Sequence, residues 1–158
     1  KGAVKFARLE GTRFDGRWMY FTETEDETAC GKIWRLSMRT MRLELFAEGK
    51  GDAEDQLCMP DNIAFDAAGN LFVCEDREIG PNRVMYVDRQ TGKIALFATL
   101  AQPYDEPTGL VFAPAHKVMF LNLMRNHDFG VTLAIKGPFA EADPTARRLA
   151  AVAPAATR

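Results

Sequence analysis

One sequence pattern occurs three times in this chain and restricts the folds that the chain can adopt. Each copy contains a turn with an acidic or amide residue, an aromatic residue, a second turn with Gly or Pro-Ala, and an apolar strand. The copies are LEGTRFDGRWMYFTETED from Leu9, MPDNIAFDAAGNLFVCED from Met59 and EPTGLVFAPAHKVMFLNL from Glu106. Their aromatic residues Phe14, Phe65 and Phe112 recur about every 50 residues. Such a period with strand-like segments only is typical of β-propeller blades.

The repeat predicts an all-β fold, a partial β-propeller of about three blades. The propeller would occupy residues 1–139, followed by an Ala-, Pro- and Arg-rich tail at 140–158 with a short helix near 145–152. The predicted blades span about 6–50, 57–100 and 104–139. Propellers usually have about four to eight blades, so three cannot close a ring. We therefore expect the missing half of a propeller, or a partner chain, to complete it.

Composition excludes several other classes of protein. A net charge of −2 does not suit a nucleic-acid-binding face. No apolar run approaches the roughly 20 residues of a transmembrane helix, and no signal peptide is present in the sequence. The three cysteines Cys30, Cys58 and Cys74 are far apart and form no CxxC pair, which argues against a disulfide scaffold or a zinc ribbon. Cys74 follows an apolar run and is expected to be buried.

Two sets of polar residues occupy matching positions in the repeats. The first set lies in the predicted turns before the inner strands: Glu10-Gly11, Asp61-Asn62 and Thr108-Gly109, with Glu106 just upstream. The second set ends the following strands: Glu23, Glu75 and Asn122. An unpaired buried carboxylate is costly, and a hard cation such as calcium would relieve that cost with oxygen ligands from Glu10, Asp61, Asn62 and Glu75. The alternative is that these groups cap turns by binding backbone N–H groups.

At these motifs the chain resembles the C-terminal part of the PhoX-type alkaline phosphatases. The similar segments are FARLEG, RWMYFTET, GKIWRL, MPDNIAFDAAGNLFVCEDRE, NRVMYV, PTGLVFAPAHKVMFLNL and FGVTLAIKGPF, which together cover about Phe6 to Phe139. The PDN segment alone also occurs in gluconolactonase-like and regucalcin-like propellers. The ordered combination is far more specific.

The resemblance implies a six-bladed propeller with a calcium and iron cluster in its channel, which hydrolyses phosphomonoesters. Glu10 matches a cluster ligand of the family, and Arg8 matches an arginine that holds the substrate phosphate, for which a forked guanidinium is well suited. Asp61 or Glu75 would supply further cation ligands. The family also implies a periplasmic or secreted location.

The resemblance leaves part of the implied site without counterparts. The family's N-terminal blades carry a cysteine that binds iron and a further Glu, and this chain has neither; Cys74 is not that cysteine. Three interpretations stay open: part of a phosphomonoesterase whose site is completed elsewhere, a non-catalytic propeller subunit derived from that family, or a calcium-dependent lactonase-like propeller.

Overall fold

The described part of the chain consists of β-strands and their connections. A computed structural model describes residues 3–25, 31–50, 56–101, 106–115, 117–124, 130–137 and 139. The strands are β1 (Leu9–Phe14), β2 (Trp18–Glu23), β3 (Lys32–Ser37), β4 (Leu43–Glu48), β5 (Pro60–Phe65), β6 (Leu71–Glu75), β7 (Arg83–Val87), β8 (Ile94–Thr99), β9 (Glu106–Phe112), β10 (Val118–Met124) and β11 (Val131–Lys136). These residues include no helix that could span a membrane. The helix expected near residues 145–152 lies outside them.

The strands form three antiparallel sheets that follow one another along the chain. Strands β1–β4 form the first sheet, β5–β8 the second and β9–β11 the third, each in consecutive order. The inner strand of the second sheet, β5, contacts both β1 and β9. Successive up-and-down sheets whose first strands lie side by side are the blades of a β-propeller. The predicted fold class is therefore confirmed, and the sheets are called blades 1, 2 and 3 below.

Two apolar clusters hold the blades together. Between blades 1 and 2, the fully buried Tyr20 and Ile33 pack with Val73 and Met85. Between blades 2 and 3, a second buried cluster surrounds Phe72. Alternate residues of each strand point to opposite faces, so blade 2 is covered by a neighbour on both faces. This explains why β6 is buried along its whole length.

Aromatic residues form the same contact at both interfaces. The ring of Tyr20 meets that of Phe65 edge to face at 5.3 Å, and Phe72 meets Phe112 in the same way at 5.2 Å. Such pairs stabilise a core beyond their buried area. Phe14 has the position of Phe65 and Phe112 in the repeat, but it does not pack between the described blades, because 58% of its surface is exposed. Phe14 lies on the face of blade 1 that points away from blade 2.

The inner strands carry an irregularity where the sequence predicted turns. The register of β1 shifts between Leu9 and Thr12, and that of β5 shifts between Pro60 and Ile63. A β-bulge at a matching position of β9 lies opposite Asn122 and Leu123. The polar motif residues therefore belong to bulged strands and not to the turns before them. Bulges bend a strand and redirect its side chains, which gives these residues their common orientation.

Strand pairing also corrects one of the predicted equivalences. Glu23 is opposite Leu9 and Glu75 is opposite Pro60, at the start of each bulge. The residue in that position of blade 3 is Leu123, opposite Pro107. Asn122 comes one residue earlier in its strand, so its side chain points to the other face. The sequence alignment missed this because the turn between the first two strands is longer in blade 3, from Phe112 to Met119, than in blade 2, from Phe65 to Leu71.

Candidate functional site

Acidic residues from all three blades lie at one end of the inner strands. Glu10 is in β1, Asp61 is in β5 and Glu106 begins β9, while Asp76 directly follows β6. Each inner strand contributes one carboxylate. The three carboxylates lie at the same place because the inner strands begin at the same end of adjacent blades. These four residues are called the acidic group below.

The charges of the acidic group act on one another. Burial raises the pKa of Asp61 to about 6, and the carboxylates of Glu10 and Asp76 add to that effect. Burial also raises the pKa of Glu106, with further contributions from Asp76, Asp61 and Glu10. Like charges that share a partly desolvated region disfavour ionisation in this way. A cation would remove the repulsion that this arrangement creates.

Arg8 is a basic residue beside the acidic group. One terminal nitrogen of its guanidinium lies 3.8 Å from Oε1 of Glu10, and its charge partly offsets the raised pKa of Asp61. The backbone of Arg8 has a φ of 45°, and Met59, at the matching position before β5, has a φ of 42°. This left-handed conformation is unfavourable for non-glycine residues and is concentrated at functional sites. It directs the chain into the bulge that presents Glu10.

A close backbone contact fixes blade 1 against blade 2 at this point. A Cβ atom added to Gly11 would lie only 2.2 Å from the carbonyl oxygen of Asp61. The hydroxyl of Thr22 donates a hydrogen bond of 2.9 Å to the same carbonyl. Glycine is therefore required at position 11 by close approach of the two strands. The contact sets the spacing between the neighbouring side chains of Glu10 and Asp61.

A polar cavity lies beside the acidic group, between the three inner strands. It has a volume of about 260 Å³, and its walls include Gly11, Asn62 and Gly109, which occupy matching positions in the three blades. The amide of Asn62 donates a hydrogen bond of 3.1 Å to Oδ2 of Asp61. Small residues on two of the three walls keep the space open. Asn62 thus joins the cavity to the acidic group.

Glu75 is held in a different network. Its carboxylate is fully buried and accepts hydrogen bonds from Nε of Arg83 at 2.5 Å and from a terminal nitrogen of the same guanidinium at 2.9 Å. It also accepts one from the backbone N–H of Cys58 at 2.6 Å. Both carboxylate oxygens therefore have protein partners. The structure does not bring Glu75 together with the acidic group.

Glu23 makes the equivalent contacts in blade 1. Its carboxylate accepts hydrogen bonds from the backbone N–H of Ala7 at 2.8 Å and from the indole of Trp34 at 2.7 Å. Ala7 and Cys58 occupy matching positions before β1 and β5. In both blades a buried Glu thus ties the segment that enters the inner strand to the end of the second strand. This arrangement supports the interpretation that these two acids satisfy backbone N–H groups.

The donor atoms of the acidic group suit a hard cation, but they do not form a closed cage. Carboxylate and amide oxygens such as those of Glu10, Asp61 and Asn62 are the ligands that calcium prefers. Within the described residues, no three His, Cys, Asp or Glu side chains lie close enough together to hold a metal ion. Cys74 is buried, as expected, and burial raises the pKa of its thiol far above the usual range. It is thus no ready source of a thiolate ligand.

Sequence reasoning missed Asp76 and gave Glu106 only a minor place. Asp76 follows Glu75 directly, and successive side chains of a strand point to opposite faces. Because Glu75 faces Arg83, this alternation would place the side chain of Asp76 on the opposite face of blade 2. Glu106 occupies the position of Arg8 and Met59, two residues before the position of Glu10 and Asp61. A residue-by-residue alignment of the bulges would have identified it.

The raised pKa of Asp61 predicts a pH-dependent effect of removing its charge. The Asp61 carboxyl group loses its proton less readily in the folded chain than in the unfolded chain. Its ionisation therefore lowers the free energy of unfolding as the pH rises from about 4 to about 6. Asp61→Asn should therefore raise the free energy of unfolding by about 1 kcal/mol at pH 8, a value reduced for solvent screening, and have little effect at pH 4. Urea unfolding at the two pH values in chelator tests this. Equal effects at both pH values would contradict it.

Comparisons with known proteins give a family for this chain and solved structures with a similar fold. The family model described as alkaline phosphatase PhoX matches residues 1–126. A comparison with curated proteins gives no match. A chain from the crystal structure of the nidogen/laminin complex is similar in structure, with a TM-score of 0.57 and 16% identity over 84% of this chain and 49% of that one. This chain thus spans about half the length of that protein.

A second similar structure is a chain described as a putative conserved lipoprotein from Clostridium novyi NT. It has a TM-score of 0.56 and 15% identity, over 84% of this chain and 89% of that chain. At such identities the two likenesses concern the fold alone. The family match differs, because it is a match of sequence over residues 1–126, which include Arg8, the acidic group and the residues that line the cavity. The chain belongs to the PhoX alkaline phosphatase family.

Proposed function

We propose that this chain forms part of the channel of a metal-dependent phosphomonoesterase. The observation that carries the proposal is the convergence of Arg8 and the acidic group from three separate blades, in a chain that belongs to the PhoX family. In the proposed site, Glu10, Asp61 and Asn62 hold calcium, and Glu106 and Asp76 complete the negative field. Iron ligands would come from blades outside this chain.

Each residue of the chain has a distinct role in this proposal. The guanidinium of Arg8 binds the substrate phosphate through two nitrogens, since its exposed position beside Glu10 leaves its fork accessible. Asn62 orients the carboxylate of Asp61, and Gly11 fixes the distance between β1 and β5. The bound cation would neutralise phosphate oxygens during in-line displacement. Glu75, a ligand candidate from the sequence, is assigned here to the support of β5 through Cys58 and Arg83.

A non-catalytic propeller subunit is the second candidate. It is favoured by the lack of a closed ligand cage among the described residues. In that case Arg8 and the acidic group would be a remnant of the family site, and completion of the ring would yield no activity. The two candidates therefore differ in a measurable result.

Hydrolysis of p-nitrophenyl phosphate distinguishes them. The chain alone should bind calcium weakly and show negligible turnover, because affinity depends on ligand number and phosphoryl transfer needs closely placed cations. A chimera that joins the chain to the remaining blades of a PhoX family protein should turn over substrate in the presence of calcium and iron. Robust metal-dependent turnover by the chain alone would contradict our assignment of the site, and a folded, inactive chimera would favour the non-catalytic subunit.

A further inference from the structure

The polar cavity between the three inner strands has a hydrogen-bond donor from each blade. Arg13 of β1 contributes its guanidinium, Asn62 of β5 its amide and Asn122 of β10 a second amide. The other lining residues are glycine, threonine or aliphatic residues. Among the described residues of these walls, Arg13 therefore has the only charged side chain, and none carries a carboxylate. This set of donors suits an anion.

Arg13 is held in place by the neighbouring blade. Its Nε donates a hydrogen bond of 3.0 Å to the carbonyl oxygen of Ile63 in β5, which fixes the plane of the guanidinium at the cavity wall. A guanidinium has five N–H groups, of which one is on Nε and four are on the two terminal nitrogens. These terminal nitrogens can bind two oxygens of one oxyanion.

The repeat indicates that a blade does not need an arginine at this position for packing. Ala64 and Val111 occupy the position of Arg13 in blades 2 and 3, each opposite the aromatic residue of the second strand. Both are apolar, and Ala64 is buried, whereas Arg13 is exposed. A charged side chain that departs from the repeat and lies at the wall of a cavity is therefore a candidate for ligand binding.

The two amides add donors from the other blades. Oδ1 of Asn122 accepts a hydrogen bond of 2.8 Å from the hydroxyl of Thr132, which fixes this amide. Its Nδ2 lies 3.3 Å from the position of a Cβ atom added to Gly109, so the donor is next to the cavity wall. The amide nitrogen of Asn62 has two N–H groups, of which one binds Asp61. The second can donate to a ligand.

We propose that this cavity binds a tetrahedral oxyanion of the phosphate or sulfate type at Arg13. The guanidinium binds two oxygens of the ion, and the amides of Asn62 and Asn122 bind the others. The volume of about 260 Å³ is far more than one water molecule needs, so the ion fits. Arg8, which binds the substrate phosphate in the proposed function, does not line this cavity. The inference therefore goes beyond that function and does not depend on phosphatase activity.

Isothermal titration calorimetry of the chain with sodium sulfate tests the inference. The titration is done in chelator, with sodium chloride in the reference to keep the ionic strength constant. Sulfate should bind saturably, and Arg13→Gln should weaken binding by about tenfold or more, because hydrogen bonds from a charged group are lost. Arg39 is exposed in the turn between β3 and β4, so the control Arg39→Gln should bind sulfate like the wild type.

A second position tests the site without changing Arg13. Val111 lines the cavity and is 52% exposed, so substitutions there should leave the fold intact. Val111→Glu should abolish sulfate binding, because its carboxylate repels the anion and competes for the guanidinium. Val111→Gln, which has the same size without the charge, should retain binding. Far-UV circular dichroism checks that each variant is folded.

Four results would overturn the inference. They are no saturation at millimolar sulfate, equal affinity in Arg13→Gln and the wild type, equal affinity in Val111→Glu and Val111→Gln, and loss of binding in Arg8→Gln in place of Arg13→Gln. The titrations need neither metal nor turnover. Their failure would therefore leave the proposed function standing, and an inactive chimera would leave the sulfate site standing.

Discussion

Glu75→Gln should lower the free energy of unfolding by about 3–5 kcal/mol, because it removes one charge of the buried ion pair that Glu75 forms with Arg83. The carboxylate of Glu75 accepts hydrogen bonds from two nitrogens of Arg83 and from the backbone N–H of Cys58, at 2.5–2.9 Å. Urea unfolding in chelator measures the loss. Chelator matters because it removes any contribution from bound metal.

The partly exposed ion pair of Arg35 and Glu44, which Arg42 also approaches, provides the control. Its nitrogen–oxygen distance is 2.9 Å, but both side chains are partly exposed, so Glu44→Gln should cost only about 0.5 kcal/mol. The double variant Glu75→Leu with Arg83→Met should recover part of the stability lost in Glu75→Gln, because it removes both charges together. A loss below about 1 kcal/mol in Glu75→Gln would show that this carboxylate does not support the fold.

In a chimera with a completed ring, Glu10→Gln should lower kcat/KM for p-nitrophenyl phosphate by about 100-fold or more, as removal of one preorganised electrostatic group commonly does. The substitution keeps the shape of the side chain and removes its charge. Arg8→Lys should also reduce kcat/KM, because a lysine cannot form the forked contact with phosphate.

Two further measurements separate this effect from misfolding. Glu10→Gln should leave the urea midpoint within a small shift of the parent, since Glu10 is exposed and its ion pair with Arg8 is long. Glu44→Gln, remote from the site, should retain full activity. If Glu10→Gln retained full activity as well, Glu10 would have no place in the site.

The fold was predictable because its signal is repeated. The spacing of Phe14, Phe65 and Phe112 identified the blades, and the apolar runs identified strands such as β3 and β6. The exposure of Phe14 was not predictable from the same pattern. A sequence repeat shows which face of a blade is apolar, but the neighbour on that face depends on which other blades are present.

The site was predictable only in part, because strand bulges decide which acids share a face. The repeat correctly indicated that Glu10 and Asp61 occupy matching positions. It could not show that Glu75 faces Arg83, because Arg83 comes from the next strand and no local pattern links the two. Asp76 was missed because two adjacent acids look alike in a sequence, while the strand directs one inward and the other toward the acidic group.

The central claim is that carboxylates from three blades share one electrostatic field that a hard cation can neutralise. Its most direct test is an NMR titration of the Asp61 carboxyl carbon, with and without millimolar calcium. We expect a midpoint near pH 6 without calcium and a lower midpoint with calcium. Glu10→Gln should abolish the shift that calcium causes. A midpoint near the ordinary value of 3.8 without calcium, or one that calcium does not move, would contradict it.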